Sequence, residues 1–571
     1  MGNSDTSPYL IVYRAHFGHL RAIIACVALV AFAWVPTIGL SEETVSSYLV
    51  SEEECFESPS SECLLVLAIE RAKSEDSPGT LLQEVSEILL QQGERQRAEL
   101  VLSDAIGLGF DAFSTETGFG ANSDLWTVSR LSRLLTLLNE NSFRDLQLEV
   151  VALLEEFLER EPASTAKEQA LYTLFAAFLD LGELDQAFSA ARRSSDPVSR
   201  WTRYTDIAVA HAKEGRVDEA LEIAKWIGNL TYREKLRARV AAILAEQGNI
   251  ELAQDLLSSG GSDIETTNAH KAIASALIAS GQINEAVAYA NGISDTFQRA
   301  FVQDSTSGAL AEAGEIDSAL TLAKSISVQQ QRSQAMATVG EILVAQGEVE
   351  LARDLLEAIP QRFSWKNLLS NLWQDPVDES AEEARARLTL AIITFLAAEN
   401  REEEAYVLLS NSGRLSPDVQ VRLKLGFAEA LAQRGAETET LDIIEELMTV
   451  SSTLRDNFKR NQLQASIGDL YIQIGHFDEA RALLFRLDEV WSGSAVQHGA
   501  NSLTDLDDID AALEWMSFLK ADGLRRTVFL HLLQHLGRTG RSQEALALIE
   551  DSSKPADEKV RAWISLAAAI G

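Results

Sequence analysis

Apolar positions recur on one face of successive predicted helices from about residue 166 onward. Those faces are punctuated by a glycine followed five residues later by an alanine. Gly182, Gly215, Gly248, Gly281, Gly314 and Gly347 stand 33 residues apart, with Ala187, Ala220, Ala253, Ala286, Ala319 and Ala352 behind them. A period of this length predicts stacked supersecondary units. Each unit reads as a first helix of about 14 residues, a short turn and a second helix of about 10. Around Gly314 the pattern predicts a first helix over 300–313 and a second over 317–325. The glycine sits just past a helix end, where a left-handed backbone strains other residues. Asp185, Asp218, Glu251, Asp317 and Glu350, three residues on, are expected to cap the second helix or to favour its positive end. The alanine marks a close approach of two helix backbones. A larger side chain there would overpack at a cost of about 1–3 kcal/mol.

The pattern loosens on both sides of 166–359. Residues 62–165 predict irregular helices, with stripes Leu64, Leu65, Leu67, Ala68 and Leu81, Leu82, Val85, Ile88, Leu89, and an early turn at Gly93 with Ala98. Four glycines over 107–124 predict a surface loop, followed by helices at 125–139 and 143–160. After Gly347 an insertion over 360–380 carries Pro360, Trp365, Trp373 and Pro376. Over 381–571 turns return at Asn400–Ala405, Gly435 with Thr440, Gly475 with Ala480, Asp507 with Ala512, and Gly540 with Ala545. A last helix at about 558–570 reads as a half-unit that caps the array.

The first 61 residues follow a different pattern. Residues 22–40 form an uncharged apolar run behind Arg14 and Arg21, with Glu42 and Glu43 after it. Nineteen residues span about 28 Å as a helix, just enough for a bilayer. The charge asymmetry puts residues 1–21 in the cytoplasm and the rest outside. The run is an uncleaved transmembrane anchor or a signal peptide cleaved after Ser41; both readings stay open. An acidic linker, 41–61, follows. It contains Cys55, and Cys63 lies just beyond. In an oxidising compartment these two can close a short disulfide loop, the alternative being two free thiols.

The chain has 571 residues, only 10 of them proline, and a net charge of −37. Such a surface repels phosphate backbones, so a nucleic-acid partner is not expected. An arginine recurs 15 residues before the turn: Arg200, Arg233, Arg299, Arg332, Arg385, Arg460 and Arg525, with Thr266, Gln420 and Ser492 breaking the series. It reads either as a guanidinium ladder for an acidic ligand or as a structural device reaching the carbonyl end of the preceding helix. His531 and His535 share a helix face but lack a third metal ligand. Trp365 and Trp373, with leucines between them, read as core or as a partner-binding patch. No phosphate loop, nucleophile elbow or cysteine–histidine pair is found, and no cofactor is expected.

The Gly-x-x-x-x-Ala turn between paired helices, as in Gly215 to Ala220 and Gly475 to Ala480, resembles the tetratricopeptide-repeat (TPR) superfamily over about 166–571. The likeness implies an all-α, right-handed solenoid of stacked antiparallel helix pairs whose first helices line a concave face that binds peptides or proteins. The expected function is therefore a non-catalytic scaffold at the cell envelope, membrane-anchored with its solenoid outside the cytoplasm, or periplasmic or secreted if the signal is cleaved. Two rivals are a solenoid arm of an envelope enzyme or assembly machine, and a purely architectural spacer.

Overall fold

A computed structural model describes residues 59–73, 78–114, 122–160, 164–257, 263–360, 379–412, 415–552 and 556–570, together with Cys55. The described residues contain 28 α-helices and no strand. The chain is an all-α helical-repeat solenoid. Its helices are α1 (Ser61–Lys73), α2 (Pro78–Gln91), α3 (Arg95–Ser114), α4 (Asn122–Glu140), α5 (Arg144–Arg160), α6 (Thr165–Asp180), α7 (Leu184–Arg193), α8 (Pro197–Lys213), α9 (Val217–Ile223), α10 (Leu230–Glu246), α11 (Ile250–Leu257), α12 (Ile264–Ala279), α13 (Ile283–Gly292) and α14 (Thr296–Glu312). They continue with α15 (Ile316–Ser325), α16 (Gln329–Ala345), α17 (Val349–Ala358), α18 (Glu379–Ala398), α19 (Glu402–Asn411), α20 (Pro417–Arg434), α21 (Glu437–Thr453), α22 (Asn457–Gln473), α23 (Phe477–Leu484), α24 (Glu489–Asp505), α25 (Ile509–Phe518), α26 (Asp522–Arg538), α27 (Ser542–Asp551) and α28 (Ala556–Ile570).

From α2 to α27 the helices pair consecutively, an even-numbered first helix with the odd-numbered second helix that follows. Every such pair turns on one residue with positive φ. Ten of these are glycines and three are not: Ser142, Asn400 and Asp507. Gly314 is representative, at φ 83°, with its N–H bonded to Ala311 O and Glu315 N–H reaching back to Leu310 O. The alanine five residues on is fully buried in each regular unit. The first helix of the Gly314 unit starts four residues before its predicted bound, because Asp295 caps it by accepting from Gln298 N–H at 2.8 Å. Asp196, Asn229, Asp263 and Asp456 cap other first helices in the same way. The acids expected to cap second helices do not: Glu183, Arg216, Glu315 and Glu348 hold the N-cap positions without a side-chain bond. Asp185, Asp218, Asp317 and Glu350 sit inside the first turn, where they favour the positive helix end but bond no free N–H.

The predicted loop over 107–124 is corrected in two places. Residues 107–114 are the last turns of α3, and 122–124 open α4. Helical glycines cost about 1 kcal/mol each, and burial of Leu102, Ala105 and Ile106 on the same helix offsets that cost.

First helices of neighbouring units pack on each other, α2 and α4 excepted, whereas neighbouring second helices scarcely meet, α3 and α5 excepted. The first helices therefore form the inner layer of a curved wall and the second helices splay outside. The last helix is not a free cap. α28 packs on α26 as a first helix should, and takes α1, from the opposite end of the chain, as its second helix. α28 also meets α2, the next first helix, and Arg561 Nε bonds Glu84 Oε1 across this seam at 2.9 Å. One apolar core holds Leu64, Leu65, Ala68, Leu82 and Val85 together with Val560, Trp563, Ile564 and Ala567. The array closes on itself as a ring of thirteen consecutive pairs and one pair shared between its ends. Fourteen first helices at ordinary spacing make an inner circuit about 130 Å around.

Candidate functional site: a groove on the inner wall

Three successive first helices, α16, α18 and α20, frame a concavity of about 750 Å³ on the inner wall. Its floor is Val344, Ala345, Leu390, Ala391, Phe395, Ala398 and Ala430; Glu341, Thr394, Glu429, Gln433 and Arg434 edge it. Gly426 explains how the floor closes. A Cβ there would lie 2.4 Å from Leu390 Cδ1, so any larger residue at 426 would force the Leu390 side chain out of its place on the floor. Two edge charges are already matched. Arg387 bonds Glu341 at 2.5 Å, and Arg434 donates to Ala397 O at 2.7 Å while pairing with Glu402. Glu429 differs. Burial raises its pKa, and the charge of Asp469 raises it further. Burial also works to raise Asp469, yet hydrogen bonds from His498, at 2.6 Å, and Gln473 hold it below its ordinary value. The carboxyl row extends to Asp304 on α14, where burial pushes the pKa up to about 6 against the opposing pull of Lys271 and Arg387. The groove is thus apolar at its base, with one carboxylate of raised pKa on its margin, Glu429, unpaired among the described residues. The sequence offered no signal for it, because apolar residues occur on every face of α18.

The residues singled out in the sequence lie elsewhere. The turn glycines stand on the rim where first helices end. Four arginines of the ladder reach main-chain carbonyls at the end of the preceding second helix: Arg200 to Ser194 O (2.9 Å), Arg299 to Ile293 O (2.8 Å), Arg332 to Ile326 O (3.0 Å) and Arg385 to Ile359 O (2.7 Å). Gln420, which breaks the series, makes the same kind of bond to Leu415 O at 2.8 Å. Arg460 and Arg525 instead bond Asn457 and Asp522 on their own helices, and the Nε of Arg233 is buried without a partner. The guanidinium groups do not converge on a common ligand position. His531 and His535 diverge to separate carboxylates, Asp505 at 2.9 Å and Asp507 at 3.2 Å. No group of three His, Cys, Asp or Glu fit for a metal occurs among the described residues. Cys55 and Cys63 are joined by a disulfide, their Cα atoms 5.8 Å apart. Trp365, Trp373 and the apolar run 22–40 lie outside the described residues, and no described helix is long and apolar enough to cross a membrane.

No family model and no curated protein match the chain. Solved structures match at low similarity. Ton1535 from Thermococcus onnurineus NA1 is 14% identical over 69% of this chain and 98% of its own, at a TM-score of 0.20. The pentatricopeptide repeat protein PPR10, in complex with an 18-nt psaJ RNA element, is 13% identical over 87% and 79%, at 0.29. A circular tandem repeat protein is 15% identical over 90% and 97%, at 0.13. At these scores none superposes on the whole ring, and no function is carried over from them.

Proposed function

We propose that the protein is a non-catalytic scaffold whose inner wall docks a protein or peptide partner, seated in the groove across α16, α18 and α20. One observation carries this reading: the groove joins an apolar floor to a carboxylate, Glu429, whose pKa burial has raised. An under-solvated carboxylate gains most from an incoming cation. The fitting ligand is therefore a segment with an apolar side chain beside a lysine or arginine. The wall's carboxyl row and the net charge of −37 disfavour a nucleic acid in this seat.

The finer assignments belong to the same proposal. The 33-residue spacing is read as a TPR-like unit in a right-handed array. Residues 22–40 are read as the anchor or signal that exports it, with 41–61 as linker, and the Cys55–Cys63 disulfide suits an oxidising compartment. The working location is the cell envelope.

A random peptide library displayed against the purified full chain tests the seat. Enriched peptides should pair apolar with basic residues. Ala430→Trp, which fills the floor, should abolish their binding, and Glu429→Lys should weaken it at least severalfold. Helicity by circular dichroism should stay unchanged in both. Peptides that bind both variants as well as wild type would sink the inner-wall reading, as would turnover of a substrate by the pure protein.

A further inference from the structure

The ring has a second surface that the inner-wall reading leaves unused. Wherever a second helix hands over to the next first helix, the chain turns on one rim, opposite the rim of the positive-φ turns. Four consecutive first helices begin there with an outstanding apolar residue. Val198 (46% exposed) opens α8, Leu230 (62%) α10, Ile264 (70%) α12 and Phe297 (67%) α14. Trp226, 57% exposed, stands beside Leu230 in sequence, and Phe301 lies one turn below Phe297. At helix-to-helix spacing the row is about 30 Å long. It ends at α16, which opens with Gln329 and Gln330.

Charge reverses along the α8–α10 half of this row, while residues 240–301, which include α12 and the start of α14, carry two Lys or Arg against seven Asp or Glu. From Arg192 to Arg239 there are eleven Lys or Arg against seven Asp or Glu, a net of +4 within a chain of net −37. Three of the rim cations lie against aromatic faces: Arg192 on Trp226 (5.5 Å), Lys235 on Tyr232 (5.2 Å) and Lys271 on Phe301 (5.9 Å). Among the described residues Arg192 and Lys235 have no carboxylate partner, so both are available to a ligand's negative charge. Outstanding aliphatic and aromatic tips edged by free cations are the composition of a surface that lies in a lipid interface. The tips enter the boundary of headgroup and acyl chain, and the cations take the anionic headgroups. A polynucleotide would gain little from Val198, Leu230 and Ile264, which cannot stack on bases.

We propose that the rim formed by the starts of α8, α10, α12 and α14 docks edge-on against an anionic lipid surface, with its α8–α10 end taking the headgroup charge and the apolar tips of α12 and α14 extending the insertion. The strongly acidic remainder of the ring is repelled from the same surface, which fixes that edge as the contact.

Trp226 supplies its own probe. The full chain and its Trp226→Phe variant are mixed with vesicles of brominated phosphatidylcholine, either alone or with brominated phosphatidylglycerol, and the difference spectrum isolates Trp226 emission. Quenching should appear with phosphatidylglycerol, fade as salt is raised, and be weakened about tenfold in Lys235→Glu. Circular dichroism of each variant checks that folding is preserved; Ile264→Ser, at a position 70% exposed, provides a second, uncharged lesion that should also weaken quenching. Equal quenching in the zwitterionic vesicles would mean that attachment through another part of the chain suffices, and would overturn the proposal. So would an absence of quenching, or a Trp226 response to an RNA oligonucleotide or to polyglutamate without one to anionic lipid.

Discussion

Two junctions in the ring invert the usual relation between sequence and packing. At the seam, α28 and α1 lie at opposite ends of the chain, yet they pack at least as extensively as every consecutive helix pair except α2–α3, and share a core with α2. Between α3 and α4 only residues 115–121 intervene, yet the units on either side barely engage. Their second helices α3 and α5 touch, while a cleft of about 620 Å³ separates first helices α2 and α4. The N-terminal helices α1 and α2 thus belong physically to the C-terminal arc. Packing follows the apolar faces, and chain continuity only sets the entropy of bringing them together. Closing a loop of about 500 residues in place of about 20 costs roughly 3 kcal/mol more. The buried leucines and Trp563 must exceed that before the ring is shut.

The largest effect that tests this contrast is expected from Trp563→Ala. Truncating a fully packed tryptophan costs about 3–5 kcal/mol, comparable to the closure penalty. Hydrogen exchange should then show α1 losing protection, with the arc from α6 to α17 unaffected. Leu102→Ala, at the loose junction, should leave α1 protected. A Trp563→Ala protein with α1 still protected would break the comparison.

A second test separates the regular arc from the seam by pH. Burial raises the Asp304 carboxyl to about 6 in the fold from an ordinary 3.8. The folded state therefore carries a penalty for ionising Asp304 that is absent below about pH 4, grows as pH rises, and is complete above about pH 6. Its full size is about 3 kcal/mol. Asp304→Asn should stabilise the regular arc at pH 7 by an amount that vanishes near pH 4 in urea titrations. A pH-independent gain would mean that the carboxyl is solvated.

The smallest effect concerns polar contacts. Arg561→Gln removes the half-buried pair with Glu84 and should cost about 1 kcal/mol or less. Arg95→Gln, at the loose junction, removes a bond to Ser142 O and a stacking contact on Phe143 of similar size. Near-equal losses would confirm that apolar burial, not ion pairing, distinguishes the two junctions.

Much of the helix pairing was legible because its determinants are local. A glycine at Gly215 or Gly475 and an alanine five residues on report a left-handed turn and a close backbone approach within one short segment. Where another residue takes that role the glycine signal is lost, and the turn must be read from the gap between apolar stripes, as at Ser142, at φ 57°, between α4 and α5. The helical reach of α3 through Gly107 was hidden because propensity favoured a loop and packing overrode it. The seam was invisible for a different reason. Leu64, Leu65 and Ala68 plainly form an apolar stripe, but nothing local specifies that its partner is Trp563. The inner groove is similarly silent, since three helices from separate units create it.

The shared pair α28–α1 also constrains how such a chain can change over generations. An open array tolerates the gain or loss of a unit, because only its length alters. In a ring each unit must supply a fixed share of the full turn, about 26° for fourteen units. Deleting one leaves a gap that every remaining junction must widen to absorb, and duplicating one forces an overlap. Closure thereby makes the number of units a selected quantity, while loop lengths and outer-face residues stay free to drift.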